Sequence, residues 1–200
     1  RSDYPNFHVI VIDNNSPNGS LEYIRQWADG KIDVGFDEDR PLKRLSFPPV
    51  VKPIPYVNYT KEQAENGGDS EIESRLKLHA HHDGVNMAQL PLIFVQAGGN
   101  LGFAGGNNVG LRYACARGEF DYVWLLNNDT VVEKDSLSRL VEKDYQSRNE
   151  KVGLIGSKLV CYHKPTFIQA IGGRYNKIIA RAKNIGVYEQ DTGQYDNDEI

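Results

Sequence analysis

The sequence predicts an α/β fold, an open and mostly parallel sheet with helices on both faces. Two observations predict it. Phe7–Ile12 (FHVIVI), Leu90–Gln96 (LPLIFVQ) and Tyr122–Leu126 (YVWLL) are short, nearly all apolar runs, the composition of strands covered on both faces. Between them lie segments whose apolar residues recur at helical spacing, so strand and helix alternate along much of the chain.

Taken in order, the first strand ends at the turn cluster Asp13-Asn14-Asn15-Ser16-Pro17-Asn18-Gly19-Ser20. Ser20 is placed to cap a helix whose stripe is Leu21, Ile24 and Ala28, and Gly30 stops it. From about residue 33 to residue 89 the rhythm breaks. Pro41, Pro48, Pro49, Pro53 and Pro55, mixed charges and Gly67-Gly68 leave only a short helix through Ile72, Leu76 and Leu78. This reads as an insertion longer than an ordinary connection, either a lid or partner surface or a surface excursion without ligand contact. Within it, His79, His81, His82 and Asp83 match neither a helical ligand pair nor a zinc-finger spacing, and are read as a solvated loop.

The second strand leads into Gly98–Gly110, with six glycines in thirteen residues. A helix expected to open after Gly106 carries Val109, Tyr113 and Ala116 and stops at Gly118. Tyr122–Leu126 is the third strand. Asp135 or Ser136 starts a helix with Leu137, Leu140, Val141 and Tyr145 on one face, and Val152–Ile155 is a fourth strand. The tail holds short alternating pieces such as Lys177–Ala182, with Gly172-Gly173, Gly186 and Gly193 as turns, and reads as β-hairpins.

Composition narrows the function. The chain has 200 residues, 40% hydrophobic and 25% charged, enough for one substantial soluble domain. A net charge of −4 argues against a general nucleic-acid binder, which needs a basic patch to displace counterions. It leaves room for one bound nucleotide, whose phosphates backbone amides and a metal can hold. Cys115 and Cys161 are too few and too far apart for a disulfide framework, and are expected to be core thiols in a reducing, cytoplasmic setting. No run reaches the roughly 18 apolar residues of a membrane span, and no signal peptide opens the chain.

Three polar clusters follow three predicted strands: Asp13-Asn14-Asn15-Ser16, Asn100 with the glycine loop, and Asn127-Asn128-Asp129. Ligands of an open parallel sheet bind beyond the carboxyl ends of its strands, so all three are expected at one edge. Gly105 and Gly106 let backbone approach a ligand closely, and helix-start amides beyond them suit an anion. Asn107 and Asn108 add donors and acceptors without repelling phosphate. Neither G-x-G-x-x-G nor G-x-x-x-x-G-K-[ST] occurs in this loop. Asp129 alone cannot hold Mg²⁺ tightly, but it can do so together with diphosphate oxygens. Asp13 is placed to accept from the N3–H of a pyrimidine base, or to cap its own turn.

Val9-Ile10-Val11-Ile12-Asp13-Asn14-Asn15-Ser16, Asn100-Leu101-Gly102-Phe103-Ala104-Gly105-Gly106-Asn107-Asn108-Val109-Gly110 and Leu125-Leu126-Asn127-Asn128-Asp129-Thr130 resemble the family 2 inverting glycosyltransferases, in particular their rhamnosyltransferase-like branch. The resemblance covers about residues 4–30 and 92–156. It implies a GT-A fold and a donor of the nucleotide-diphospho-sugar type, dTDP- or UDP-linked, with rhamnose as the branch's sugar. It also implies Mg²⁺ or Mn²⁺ and a glycan or lipid-linked acceptor in surface-polysaccharide synthesis, met in the cytoplasm or at the inner face of the membrane. Asp13, Asn15, Asn100, Gly105, Gly106, Asn107, Asn108, Asn127 and Asn128 are the implied donor residues. Asp129 is the implied metal ligand, with Asn127 replacing the first aspartate of the D-x-D motif. The family's first strand and its acceptor-side half, with the acidic catalytic base, are not matched, so the chain is expected to be one partial, inactive domain. Asp191, Asp196 and Asp198 fit no base motif, and the catalytic residue stays unassigned. A sugar nucleotidyltransferase and a non-catalytic nucleotide-binding fragment are the alternatives.

Overall fold

The computed structural model describes residues 2–33, 35, 42–45, 50–82, 91–146 and 152–196, and of residues 78–82 the backbone alone. The chain divides into two compact units, one of Pro5–Gly35 and Val50–Thr130, the other of Arg1–Tyr4, Phe36–Pro49 and Val131–Ile200.

The first unit holds β1 (Ile10–Asp13), α1 (Ser20–Ala28), β2 (Tyr56–Thr60), α2 (Lys61–Glu65), α3 (Ser70–His82), β3 (Leu92–Gln96) and α4 (Gly102–Arg117). Its sheet is parallel in the order β1-β3-β2. The central strand explains its own composition: Ile93, Phe94 and Val95 are fully buried, so both of its faces must be apolar. The edge strand β2 alternates instead, with Val57 and Tyr59 buried and Asn58 and Thr60 exposed. Thr60 then closes a capping box with Gln63 that opens α2 at once. The core gathers Val57, Tyr59, Ala64, Ile93, Val95, Val109 and Tyr113. Helix α4 comes close to β1 through two glycines one turn apart. A Cβ on Gly110 would sit 3.7 Å from Ile12 Cδ1, and one on Gly106 would sit 3.5 Å from Asn14 Cγ.

Several expectations need correction. The 33–89 segment contains β2 and α2, which its prolines and short apolar run concealed. The three histidines stand at the end of α3 and not in a loop; Asp83 lies outside the described residues. Ser20 is the first helical residue and does not cap α1. The cap position is Gly19 at φ +70°, whose carbonyl accepts from Glu22 and Tyr23 N–H. Helix α4 begins at Gly102, ahead of the start expected after Gly106, so Gly105, Gly106, Asn107 and Asn108 lie inside it. Tyr122–Leu126 and Val152–Ile155 pair with no strand among the described residues, and their apolar side chains are exposed. Cys115 is exposed and Cys161 half-buried, so neither is a core thiol; both are free.

The other unit holds α5 (Ser136–Gln146) and two antiparallel hairpins, β4 (Leu159–Cys161) with β5 (Lys164–Ala170), and β6 (Gly172–Asn176) with β7 (Arg181–Ile185). The tail is built of hairpins, as expected, but its pieces fall elsewhere: Gly172 and Gly173 lie in β6 and not in a turn, and Lys177–Ala180, expected as part of an alternating piece, is the β6–β7 turn. Arg44 grips Glu133 with both guanidinium nitrogens, and Ser138 donates to Asp3 Oδ1.

Candidate functional site

The site is built at the carboxyl ends of β1 and β3, which register places side by side with Asp13 opposite Gln96. Asp13 is 8% exposed. Its Oδ1 accepts from Ser16 N–H at 3.2 Å, and its Oδ2 accepts from Gln96 Nε2 at 2.7 Å. Burial pushes this carboxyl's pKa up, but the hydrogen bonds from Ser16 and Gln96 and the charge of Arg25 outweigh it, and the net is a group held below the usual aspartate value. The turn-capping role of Asp13 is therefore realised. A carboxylate has more lone pairs than these two bonds use, so acceptor capacity remains.

Asn14 is the joint between the two loops. Its Nδ2 donates to Asn100 Oδ1 at 3.2 Å and to the Gly102 carbonyl at 3.1 Å, and its Oδ1 accepts from Leu101 N–H at 2.9 Å. Asn100 Oδ1 in turn accepts from Gly102 N–H at 3.0 Å. A helix start leaves four amides without intrahelical acceptors. Here two side chains from separate loops take those of Leu101 and Gly102. The amides of Phe103 and Ala104 come next, on exposed residues at the positive end of the helix. The helix start with its unclaimed first-turn amides therefore lies at Gly102–Ala104, and not after Gly106 as expected. Gly102 adopts φ +68°, which a side chain would resist.

Of the predicted residues, Asp13, Asn100 and the glycine helix are brought together. Gly106 is buried against Asn14, Gly105 lies under Leu101, and Asn107 and Asn108 follow in the second turn of α4. Asn15, next to Asn14 in the chain, is exposed at φ +62°. Asn127, Asn128 and Asp129 stand in an exposed turn closed by Thr130, whose N–H and hydroxyl donate to the Asn127 carbonyl. No hydrogen bond among the described residues ties that turn to the Asn14 junction. Nor do three His, Cys, Asp or Glu side chains gather there to hold a metal. A cation on this turn would take a single carboxylate, that of Asp129, from the protein, too few to hold it by protein alone.

Sequence reasoning named the Asn14 cluster but assigned Asn14 no role, and it missed Gln96 entirely. It also missed a buried polar knot behind the sheet. Glu73, 4% exposed, accepts from Tyr59 Oη at 2.8 Å and from Tyr113 Oη at 3.0 Å, and Arg117 lies 3.5 Å away. Burial first, with Glu73 adding to it, pushes both tyrosine hydroxyls well above their usual pKa. A cleft of about 340 Å³ beside Tyr59 is lined by Glu62, Gln63, Asn66 and Asp69. There Gln63 and Asp69 serve helix starts and Asn66 binds the Glu62 carbonyl.

Low-salt glycan biosynthesis hexosyltransferase Agl10 of Haloferax volcanii is 31% identical to this chain over 72 residues. Those residues are 36% of this chain and 21% of that protein, so the matched part spans about a fifth of the relative's length. No protein-family model matches the chain. No solved structure matches it either. Among the described residues no helix is long and apolar enough to cross a membrane.

Proposed function

We propose that this chain carries the donor-binding part of a glycosyltransferase of glycan biosynthesis. The observation that carries the reading is the Asn14–Asn100–Gly102 junction. It joins two strand ends to a glycine-opened helix start, whose first turn holds the exposed residues Phe103 and Ala104, with the buried carboxylate of Asp13 at the end of β1. That arrangement suits a nucleoside diphosphate: anionic oxygens on Phe103 and Ala104 N–H, and a base N–H on Asp13. The partial likeness to a protein named a hexosyltransferase supports the same class of reaction.

In this reading the donor is a nucleotide-diphospho-sugar, dTDP- or UDP-linked, and transfer inverts the anomeric carbon. Asn15, Asn100, Asn107, Asn108, Asn127 and Asn128 contact the donor. Asp129 holds Mg²⁺ or Mn²⁺ together with the diphosphate, and the ion neutralises charge on the leaving group. The acceptor is a glycan or lipid-linked sugar. Asp191 and Asp196 are clasped by Lys158 Nζ at 2.8 and 2.6 Å, which suits a structural role and not that of a catalytic base; Asp198 lies outside the described residues.

The test is calorimetric titration of UDP and dTDP into the chain, with and without Mn²⁺, beside Asp13→Asn and Asp129→Ala. Metal-dependent binding that Asp129→Ala abolishes and Asp13→Asn weakens supports the reading. A folded chain that binds neither nucleotide refutes it. Pyrophosphate release from a nucleoside triphosphate and a sugar phosphate would move the assignment to a nucleotidyltransferase.

A further inference from the structure

The β6–β7 hairpin is a different kind of surface, and nothing in the donor-site reading uses it. From Gly172 to Val187 the chain carries Arg174, Lys177, Arg181 and Lys183 and no carboxylate, within a protein of net charge −4. Register sets Arg174 directly opposite Lys183 and Asn176 opposite Arg181, so three of the four cations share one face of the ribbon. Like charges facing each other across a hairpin destabilise it. None of the four forms an ion pair among the described residues, and all are exposed. The turn between the strands is also unusual. Ile178 is 94% exposed and Ile179 59%, where turns ordinarily carry polar residues. The turn's backbone is closed internally, since Asn176 Oδ1 accepts from both Ile178 and Ile179 N–H. Those two amides can therefore leave water without losing their partners.

We infer that this hairpin docks the protein on an anionic phospholipid surface, with Ile178 and Ile179 entering the interface and Arg174, Lys177, Arg181 and Lys183 meeting the phosphates. The two requirements of interfacial binding, apolar side chains and cations beside them, meet on one ribbon. A ribbon that read nucleic acid would offer free aromatic or amide groups at its apex, whereas here the Asn176 amide oxygen is taken up by the turn, the exposed Tyr175 lies behind it, and the apex itself is Ile178 and Ile179. Two aliphatic side chains gain only by leaving water.

The experiment is co-sedimentation of the chain with vesicles of phosphatidylglycerol mixed with phosphatidylcholine, against vesicles of phosphatidylcholine alone. Binding to the anionic vesicles, falling with salt, is expected. Ile178→Ser with Ile179→Ser should reduce partitioning at least tenfold, and each of Arg174→Gln, Arg181→Gln and Lys183→Gln should reduce it about fivefold. All are exposed substitutions, and circular dichroism confirms that each variant is folded. An Ile178→Trp variant should show quenching by brominated lipid. No binding to anionic vesicles overturns the inference, and so does binding that the variants leave unchanged. Binding to single-stranded DNA or to an acidic peptide in place of vesicles overturns it in favour of that partner. Nucleotide titration is independent of all these outcomes, so failure here leaves the donor-site reading standing, and the converse.

Discussion

Asn14 and Asn100 hold each other across the ends of two parallel strands, Nδ2 to Oδ1 at 3.2 Å, and together they cap a helix to which neither belongs. The usual helix cap sits on the helix's own chain just before it. Here the cap is shared, so hydrogen bonds tie the β1 loop, the β3 loop and the start of α4 together. Removing either side chain should cost about 1–2 kcal/mol, the range of a lost N-cap. Because they share partners, Asn14→Ala and Asn100→Ala should be less than additive in urea denaturation. The same variants should weaken UDP binding, since the Phe103 and Ala104 amides lose their fixed position. Additive, negligible losses would refute the shared cap.

Asp129 predicts the opposite pattern. It is exposed and forms no ion pair among the described residues, so Asp129→Ala should change stability by no more than about 0.5 kcal/mol. Its effect should appear only with Mn²⁺ and nucleotide together. Removing the metal with a chelator should reproduce the variant's affinity in the unmodified chain. Thermal melting with and without ligand measures both arms.

Two groups make the first unit sensitive to acid, in different windows. His8 is held below its usual pKa by burial first, against the pull of Glu73 and Glu119, and its Nδ1 is buried without a hydrogen-bond partner. A histidine kept neutral in the folded state contributes stability above its unfolded pKa, and that stability falls as pH drops through the ordinary histidine range. Asp13 has a depressed folded pKa. Its contribution is present above the unfolded aspartate value and is lost as pH falls below it toward the folded value. Stability against pH should therefore fall in two steps. His8→Phe should remove the upper step, and Asp13→Asn should shrink the lower one, which Asp29 shares through its hydrogen bond from Lys31.

How much of this was legible in the sequence depends on where the information lay. β3 was legible because both of its faces are buried, which forces an unbroken apolar run such as Leu92-Ile93-Phe94-Val95. β2 was not: two of its five residues, Asn58 and Thr60, face water, and prolines precede it. The glycines of α4 misled in a particular way. Gly105 and Gly106 read as loop residues by propensity, yet they are helical, and Gly106 and Gly110 let the helix approach Asn14 and Ile12. The meeting of Asp13 with Asn100 followed from strand order alone. The Asn14 cap did not, because it depends on a contact 87 residues away in sequence. The Glu73 knot had no local signal at all.

That knot fixes α3 to the sheet and to α4. Glu73→Ala leaves the buried Tyr113 hydroxyl without its carboxylate acceptor and takes one from Tyr59 and Arg117, which keep the Asp69 carbonyl and Glu119, and should cost about 3–5 kcal/mol, as for one partner lost from a buried pair. Tyr113→Phe removes one hydrogen bond to a charged group and should cost about 1.5–3 kcal/mol. If Glu73→Ala were no worse than a surface substitution, the knot would not be holding α3.

Gly68 tests the same packing from the backbone side. It adopts φ +67°, and a Cβ there would lie 2.6 Å from Tyr59 Cε2 and 2.9 Å from Glu73 Oε1. Neither neighbour is free to yield. Tyr59 is buried with its hydroxyl accepting from Asp69 N–H at 2.8 Å, and Glu73 is held by two tyrosines. Gly68→Ala therefore combines left-handed strain with overlap and should cost more than about 2 kcal/mol. Gly19→Ala, also left-handed at φ +70° but with nothing within 4 Å of its Cβ, should cost about 1–2 kcal/mol from strain alone. Adding Tyr59→Ala to Gly68→Ala opens the space and should recover the overlap part, so the pair should be less destabilised than the sum of its single variants. Equal losses at Gly68 and Gly19 would show that Tyr59 and Glu73 move aside, and that the knot is looser than its distances describe.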